Sequence, residues 1–216
     1  MIPSRVSRVG AIFAAALALA ACGPKTPDYQ SIWSSTPTTT TSTDPSDLVP
    51  FPEYLNKLGV GSEQVVPGTL ADLKINLPRP TGWTEYKNPN YSKGTVVIAD
   101  HDTYPIAMLM AFRISGDFDA DEAVKHADAD ALRSENFKKL DGSYDKFDGF
   151  PSSMIEGSYD LNGRRMQSYN RVVIATPTPP KPGIRYLIQL TVTGYADKAK
   201  EQAGDIEAII KGFSVH

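Results

Sequence analysis

Residues that could carry out chemistry are few in this sequence and widely spaced. The histidines form no HExxH pattern of a zinc site; they are His101, His126 and His216. Asp117 begins an alternation of acids like that of a calcium loop, but the sixth position is Glu122 instead of glycine and the twelfth is Asp128 instead of glutamate. No serine lies in a GxSxG turn, and Ser152-Ser153 is interpreted as the entry to a strand. The sequence therefore predicts no catalytic residues, no metal site and no cofactor.

The single cysteine, Cys22, has the sequence context of an acylation site. Arg5 and Arg8 precede an uncharged apolar stretch, Val9–Ala21, which is shorter than the roughly 20 residues of a spanning helix. This stretch ends in Leu19-Ala20-Ala21, which together with the cysteine resembles the lipobox read by bacterial lipoprotein processing enzymes. We predict that the thiol receives a diacylglyceryl group, with acyl chains such as palmitate. An ordinary free cysteine beside a cleavage site is the alternative.

Acylation of Cys22 would fix the location of the protein. Burial of each methylene group contributes about 0.8 kcal/mol, so two or three acyl chains hold a protein firmly to a bilayer. We therefore expect residues 1–21 to be a signal peptide that is removed, and the rest to be lipid-anchored to the cell membrane at its extracytoplasmic face. Part of the protein is expected in the cell wall or the extracellular space after shedding.

Residues 22–47 have the composition of a tether. Between Ser34 and Ser46, ten of thirteen residues are Ser or Thr, and such a stretch cannot bury enough apolar surface to fold. We predict a disordered linker, which serves as a plain spacer or as an O-glycosylated stalk. One α+β domain is then expected over residues 48–216.

Charge and cysteine content limit the classes of partner. A formal net charge of −3 over 216 residues argues against nucleic acid, because nucleic-acid binding needs a basic surface. A lone cysteine excludes an internal disulfide and a cysteine-based metal cage. The membrane, through acylated Cys22, is the partner that the sequence specifies directly.

Hydrophobic periodicity in the rest of the chain predicts several strands. Apolar residues at every second position indicate strands at Leu73–Leu77 and Thr95–Ala99, and a run that is apolar on both faces indicates a central strand at Pro105–Ile114. A helix with one small-residue face is predicted to start after the N-cap Asp119 and to continue to Lys139.

Three further strands and a last helix complete this pattern. The strands are Ser152–Tyr159, Arg164–Ala175 and Ile184–Thr193, and Asn162-Gly163 suits a tight hairpin between the first two. Apolar residues recur at helical spacing over Ala199–Phe213. The fold class is therefore α+β, a largely antiparallel sheet of five to seven strands with helices packed on it.

Two groups of side chains on these strands are candidates for ligand binding. The first would line an apolar cavity for acyl chains and consists of Met108, Met110, Phe112 and Met154. The second would hold a sugar or an anionic head group near that cavity and consists of Arg165, Tyr169 and Arg171. Ordinary core packing is the alternative for the first group, and a solvated strand face is the alternative for the second.

Several stretches spread over the chain share a pattern with a known family. They are Ala21-Cys22-Gly23-Pro24-Lys25, Ala107–Met110, Gly149–Ile155, Gly157–Asp160 and Asp205–Ile210. With them the chain resembles the LpqN/LpqT family of mycobacterial lipoproteins, from the lipobox to the last helix. The resemblance implies a PsbP-like α/β sandwich and an envelope lipoprotein without known catalysis, associated with lipid trafficking and its membrane transporters. It assigns a definite role only to Cys22.

The anchor, the tether and the absence of catalytic motifs favour a non-enzymatic accessory lipoprotein, and so does the resemblance. Such a protein would bind an envelope lipid or glycolipid, or dock on the transporter that moves one. A second hypothesis is a protein–protein interaction module, including contact with a host protein or receptor. A third is a hydrolase whose site is scattered in the sequence. An internal apolar cavity would favour the first hypothesis, and a solid core with an exposed apolar patch would favour the second.

Overall fold

The computed structural model describes residues 48–101 and 103–216, and strands dominate this part of the chain. Its ten strands are β1 (Gly61–Val65), β2 (Ile75–Asn76), β3 (Trp83–Glu85), β4 (Val96–Asp100), β5 (Thr103–Ser115), β6 (Lys138–Ser143), β7 (Ser152–Leu161), β8 (Arg164–Ala175), β9 (Ile184–Tyr195) and β10 (Ser214–Val215). Its four α-helices are α1 (Phe51–Lys57), α2 (Ala120–Ala123), α3 (Ala129–Leu132) and α4 (Ala199–Gly212). Short 3₁₀ helices occupy Pro67–Thr69, Val124–His126 and Ala196–Lys198. The predicted α+β class is confirmed.

Eight strands form one antiparallel sheet in the order β3-β4-β5-β9-β8-β7-β6, with β1 also paired to β5. β5 is central because residues Ile106 to Ser115 pair with β9 along one edge. Its other edge is shared, since β4 pairs with the first half of β5 and β1 with the second half. The run that is apolar on both faces therefore has neighbours on both sides, as predicted.

The predicted hairpin joins β7 and β8. Asn162 and Gly163 have φ angles of 50° and 75°, the left-handed conformation that a tight turn of this type requires at both central positions. Pairing then runs without interruption from Leu161 opposite Arg164 to Ser152 opposite Val173.

The two faces of the large sheet carry different side chains. The first, called here the α4 face, carries an apolar cluster in which Leu109, Val173 and Leu190 pack with Ile209 of α4 and with Phe213. The second, called here the Met face, carries the alternate residues of the same strands. Its central rows contain Met108, Met110, Thr191, Gln189, Asn170 and Ile155.

The chain between β5 and β6 covers part of the Met face. Its 3₁₀ turn, Val124–His126, lies against β7 and β8, and the hydroxyl of Ser153 on β7 donates a hydrogen bond to the carboxylate of Asp128. The ring of Phe137 closes over β7 at Gly157, where an added Cβ would lie 2.2 Å from the Cζ of that ring. This segment therefore fixes one border of the Met face.

The prediction of one continuous helix from Asp119 to Lys139 is wrong beyond the first turn. Asp119 caps α2 as expected, because its carboxylate accepts from the backbone N–H groups of Asp121 and Glu122. The chain then breaks into a 3₁₀ turn and α3, because the carboxylate of Asp128 turns inward to the sheet.

The end of that predicted helix is a strand instead. Lys138 and Lys139 begin β6, where they pair with Ser158 and Gly157 of β7. The ladder satisfies the backbone hydrogen bonds of this segment, and its helix propensity is overridden by this long-range pairing.

The sheet is also larger than the predicted five to seven strands. Hydrophobic periodicity does not predict β1 and β6, because most of their residues are exposed, and it does not predict β3, because that strand is only three residues long. The strand predicted at Leu73–Leu77 is reduced to β2, which pairs with β10 outside the large sheet.

Candidate functional site

The Met face brings most of the predicted apolar group together. Met108, Met110 and Phe112 lie on one side of β5, and each is at most 2% exposed. Their partners on β9 are mixed in character, since Met108 lies opposite Thr191 and Met110 lies opposite Gln189. Thioethers and polar side chains therefore share adjacent rows of this face.

Met154 does not belong to this group. It pairs with Arg171, which pairs with Leu190, which pairs with Leu109, and this row lies on the α4 face. Met154 packs against the apolar cluster there. The prediction that it lines the same layer as Met108 is wrong, because the odd-numbered residues of β7 are the ones that face the Met side.

One end of the Met face is lined by three tyrosines, Tyr104, Tyr159 and Tyr195, which we call the Tyr end. In the register, Met166 of β8 lies between Tyr159 and Tyr195. The rings of Tyr104 and Tyr195 meet edge to face with centroids 5.1 Å apart. The guanidinium carbon of Arg164 lies 3.6 Å from the ring centroid of Tyr195. Aromatic faces, hydroxyls and one cation are thus concentrated at this end.

Burial raises the pKa of two hydroxyls of the Tyr end, those of Tyr104 and Tyr159. It raises the pKa of Tyr104 far above the ordinary value, and the neighbouring hydroxyls of Tyr159 and Tyr91 raise that pKa further. Burial also raises the pKa of Tyr159, against a hydrogen bond with Thr193 that lowers it. These rings therefore present O–H groups that both donate and accept, beside flat apolar surfaces.

Several buried polar atoms near this face have no hydrogen-bond partner within the described part of the chain. They include the hydroxyls of Tyr91 and Tyr104 and the side-chain carbonyl of Gln189. An unpaired buried polar group costs about 1–3 kcal/mol, so proteins rarely keep one that no water, ion or ligand ever pairs. By contrast, the hydroxyl of Thr191 donates to the side-chain carbonyl of Asn170 at 3.0 Å. A water molecule or a ligand at this face would pair these atoms.

The second predicted group, which includes Tyr169 and Arg171, lies on the other side of the sheet. Arg171 Nε donates to Tyr169 Oη at 2.6 Å, and Arg171 Nη1 donates to Ser152 Oγ at 2.9 Å. The guanidinium carbon also lies 4.4 Å from the ring centroid of Phe147. These four residues form what we call the Arg171 cluster. Its polar atoms pair with one another, so the cluster stabilises the fold.

Arg165 is likewise engaged within the protein. Its guanidinium donates to the carboxylate of Asp160, to the backbone carbonyl and hydroxyl of Ser158, and to the carbonyl of Asn136. The prediction that Arg165 and its strand neighbours lie near the methionine group is wrong, because alternate residues of a strand face opposite sides of the sheet.

Most of the Tyr end was not predicted from the sequence, although the alternation of residues along β5 and β9 contains its signal. Tyr104 precedes Ile106 and Met108 at two-residue spacing on β5, and Thr193 and Tyr195 continue the same spacing from Thr191 on β9. Extending the predicted strand Pro105–Ile114 backwards to Tyr104, and the predicted strand Ile184–Thr193 forwards to Tyr195, places both tyrosines on the Met face.

The remaining candidate residues form no site together. Cys22 lies outside the described residues. Within residues 48–101 and 103–216, no three His, Cys, Asp or Glu side chains are placed to hold a metal ion. His126 instead stacks on Tyr54, with ring centroids 3.7 Å apart. No helix in this part of the chain is long and apolar enough to cross a membrane.

Comparison with known proteins identifies relatives of this fold and sequence. The model of a family described as "Probable lipoprotein LpqN" matches residues 48–216. The chain belongs to this LpqN lipoprotein family. It is 50% identical over 206 residues to a Mycobacterium tuberculosis protein named as the lipoprotein LpqT, which covers 95% of this chain and 91% of that relative. The resemblance to the LpqN/LpqT family is thereby confirmed.

Two solved structures are similar to this chain to different degrees. The crystal structure of LpqN, described as involved in cell envelope biogenesis of Mycobacterium tuberculosis, matches with a TM-score of 0.64 at 20% identity, over 76% of this chain and 95% of that chain. The solution structure of cyanobacterial PsbP from Synechocystis matches with a TM-score of 0.39 at 14% identity, over 69% of this chain and 96% of that chain. The likeness to LpqN shows a common fold.

Proposed function

We propose that this protein is a non-enzymatic lipoprotein of the cell envelope that holds an envelope glycolipid or lipid on its Met face. The observation that carries the proposal is the direct continuation of the methionine rows into the Tyr end, where the buried hydroxyl of Tyr104 has no hydrogen-bond partner among the described residues. Membership of the LpqN lipoprotein family supports an envelope role. The description of LpqN itself as involved in cell envelope biogenesis supports it further.

The central methionine rows and the Tyr end of the Met face suit the two parts of an amphiphile. Met108 and Met110 have unbranched side chains that repack around an irregular aliphatic chain, and each buried methylene contributes about 0.8 kcal/mol. Tyr104 and Tyr195 offer rings for stacking on a sugar and hydroxyls for hydrogen bonding. A glycolipid would therefore lie along the sheet with its head at the Tyr end.

Anchoring through Cys22 completes the proposed function. Acylation of its thiol would hold the domain at the extracytoplasmic face of the membrane, within reach of a lipid transporter. In a Cys22→Ala variant we expect the precursor to stay uncleaved by the lipoprotein peptidase and to carry no acyl chains. Mass analysis of the wild-type mature N-terminus tests this, and an unmodified Cys22 or a mature chain that begins elsewhere would contradict it.

Ligand binding can be measured by calorimetric titration of the full chain in a neutral polyoxyethylene detergent. The probes are a monoacylated trehalose, free trehalose and the uncharged methyl ester of the corresponding fatty acid. We expect saturable binding of the acylated sugar that is at least tenfold tighter than binding of free trehalose or of the ester. Equal affinity for the ester would contradict a role of the Tyr end, and no saturable binding would reject the proposal.

Tyr104→Phe separates a binding role from a structural role. It removes a buried hydroxyl that has no partner within the described residues, so the free energy of unfolding should stay equal or rise by up to about 1 kcal/mol, while the affinity for the acylated sugar falls. Tyr169→Phe is the matched control on the opposite face, because its hydroxyl pairs with Arg171. That variant should lose stability and keep its affinity. The reverse pattern would contradict the proposed site.

Met110→Trp tests the apolar half of the site. In a solid core the larger ring should overpack and destabilise the protein by about 1–3 kcal/mol. If the side chain yields to a ligand, the ring should instead fill that space and weaken binding of the acylated sugar while the fold is kept. Loss of stability together with unchanged affinity would leave Met110 as a core residue only.

The protein–protein interaction hypothesis is favoured by a different region. β6 is an edge strand, and Leu140 on it and Tyr144 just after it are 59% and 49% exposed. Apolar side chains on an open sheet edge are typical of a docking surface for another protein. A Leu140→Ser and Tyr144→Ser double variant that loses cross-linked envelope or host proteins, with its affinity for the acylated sugar intact, would support this second function.

A further inference from the structure

A cleft of about 340 Å³ opens at the opposite end of the sheet from the Tyr end. Its walls come from the chain between Val65 and Asp72, from Arg113 of β5, from Tyr186 of β9 and from Lys181 in the preceding loop. Arg113 and Tyr186 are register partners, and Tyr186 belongs to the apolar cluster of the α4 face. We call this the Arg113 cleft, and its residues are separate from those of the Met face.

Among the described residues, the carboxylate that lines the Arg113 cleft is already paired. Asp72 accepts from Lys181 Nζ at 2.6 Å and from Tyr186 Oη at 2.9 Å. These two donors hold the pKa of Asp72 below its ordinary value. The backbone N–H of Thr178 also donates to the carbonyl of Asp72, at 2.7 Å, which ties the lysine-bearing loop to this wall. Asp72 and Lys181 therefore neutralise each other inside the cleft.

Arg113 is the second cation of the cleft, and its guanidinium donates a hydrogen bond to the hydroxyl of Tyr186. Its nearest acidic partner is Glu63 at 3.6 Å, and both side chains are largely exposed, at 46% and 72%. Such an exposed pair contributes little and yields easily to a competitor. The planar guanidinium still has a fork of N–H donors, which matches the two oxygens of a carboxylate or phosphate.

Part of the lining of the cleft is apolar. Val65, Val66 and Leu70 line it, and Val66 is 41% exposed although it is a branched aliphatic residue. A freely hydrated inorganic ion would gain nothing from such a wall, whereas an aliphatic group next to the anion would be removed from water there.

We propose that the Arg113 cleft binds a monoanionic oxyacid group, a carboxylate or a phosphodiester, that carries a short aliphatic chain. Arg113, whose acidic partner Glu63 is exposed and easily displaced, matches one negative charge, and the apolar part of the lining covers the chain. The head group of an anionic lipid and a free amphiphilic acid share this chemistry.

The test uses calorimetry on the full chain in a neutral polyoxyethylene detergent, with empty micelles as the blank. Octanoate and dibutyl phosphate represent the two oxyacids with chains, and acetate represents the anion alone. We expect saturable binding of at least one of the first two, and binding of acetate at least tenfold weaker. Binding of octanoate but not of dibutyl phosphate would identify a carboxylate as the ligand. Binding of dibutyl phosphate but not of octanoate would identify a phosphodiester.

Two variants with opposite expected signs separate the cleft from general charge effects. Arg113→Gln should weaken binding about tenfold or more, whereas Asp72→Asn should strengthen it several-fold because it removes the internal negative charge. Arg79→Gln, which removes an exposed charge outside the cleft, should change affinity less than twofold. Circular dichroism checks that each variant is folded.

Several results would overturn the proposal. These are acetate binding as tightly as octanoate, an equal loss in Arg79→Gln, weaker binding in Asp72→Asn, or no saturable binding of either amphiphilic anion. Because the acylated sugar and the Tyr104→Phe variant report on the Met face alone, the two proposed sites succeed or fail separately.

Discussion

The Arg171 cluster and the Tyr end combine the same kinds of side chain on opposite faces of one sheet. Each joins tyrosine rings to an arginine that lies over an aromatic ring. They differ in whether their polar atoms find partners. In the Arg171 cluster every side chain that can hydrogen-bond does so within the cluster, whereas the hydroxyl of Tyr104 is buried with no partner among the described residues.

This difference teaches how to separate structural from binding residues in a protein of this kind. Residue type alone favours the Arg171 cluster as the ligand-binding site, because arginine and tyrosine are typical of sugar and head-group recognition. The pattern of hydrogen bonds favours the Tyr end as the ligand-binding site, because a polar group that is already hydrogen-bonded within the protein gains little from a ligand. The expected effects of substitution therefore divide by face.

Arg171→Met should have the largest effect on stability. It leaves Ser152 Oγ, in a residue that is 0% exposed, and the hydroxyl oxygen of Tyr169 without their donor, at about 1–3 kcal/mol for each buried group. We expect a loss of about 2–4 kcal/mol in the free energy of unfolding, measured in urea, with affinity for the acylated sugar unchanged. Arg164→Met, at the exposed arginine over Tyr195, should lose less than about 1 kcal/mol. Equal losses would erase the distinction between the two regions.

Two glycines give the next comparison of the faces. An added Cβ at Gly157 would lie 2.2 Å from Cζ of Phe137 and 2.9 Å from the carbonyl oxygen of Lys138, so ring and backbone must both shift. At Gly194, on the α4 face, the nearest atom is the flexible tip of Gln202 at 2.8 Å. We expect Gly157→Ala to cost about 1–3 kcal/mol and Gly194→Ala to cost less, by urea unfolding. A larger loss at Gly194 would show that α4 is held more rigidly than Phe137.

The sequence is sufficient for features that depend on local periodicity. Alternation along Pro105–Ile114 places Met108, Met110 and Phe112 on one face, and Asn162-Gly163 specifies the hairpin. These features need only the pleat of one strand or the turn between two adjacent strands.

Features that depend on distant pairing could not be predicted in this way. The face of Met154 relative to Met108 is decided through two intervening strands, β8 and β9. The break after α2 depends on Asp128 reaching Ser153, which lies 25 residues further along the chain. Which hydroxyls of the Tyr end have hydrogen-bond partners can be seen only in the complete sheet. Residue types alone therefore suggested the Arg171 cluster as the binding site.

Asp128 and Asp72 should give the two faces opposite responses to pH. Burial raises the pKa of Asp128, against hydrogen bonds from Ser153 and Tyr144 that lower it. The folded state then binds the proton more tightly than the unfolded state, so this group destabilises the protein at neutral pH and the loss is relieved as pH falls through its raised pKa. Hydrogen bonds from Lys181 and Tyr186 lower the pKa of Asp72, so its contribution is present above the ordinary pKa of 3.8 and is lost as pH falls through the lowered value.

Urea unfolding between pH 3 and pH 7 would measure both responses in Asp128→Asn and Asp72→Asn. At pH 7 the first variant should be at least as stable as the wild type and the second should be less stable. Both differences should shrink towards pH 3. An Asp128→Asn variant that is less stable at neutral pH would show that the bonds from Ser153 and Tyr144 outweigh the cost of burial.

Truncation of the chain to begin at Leu48 should have the smallest effect on stability. Residues 23–47 lack a core-forming pattern, so we expect a change of less than about 2 °C in the melting temperature and first proteolytic cleavage within this segment. A fall of many degrees would instead mean that the segment docks on the domain, and the expected domain boundary would be wrong. The titration with acylated trehalose would then locate the docking. Tighter sugar-lipid binding by the truncated chain would place the segment in competition for the Met face, whereas tighter octanoate binding would place it at the Arg113 cleft.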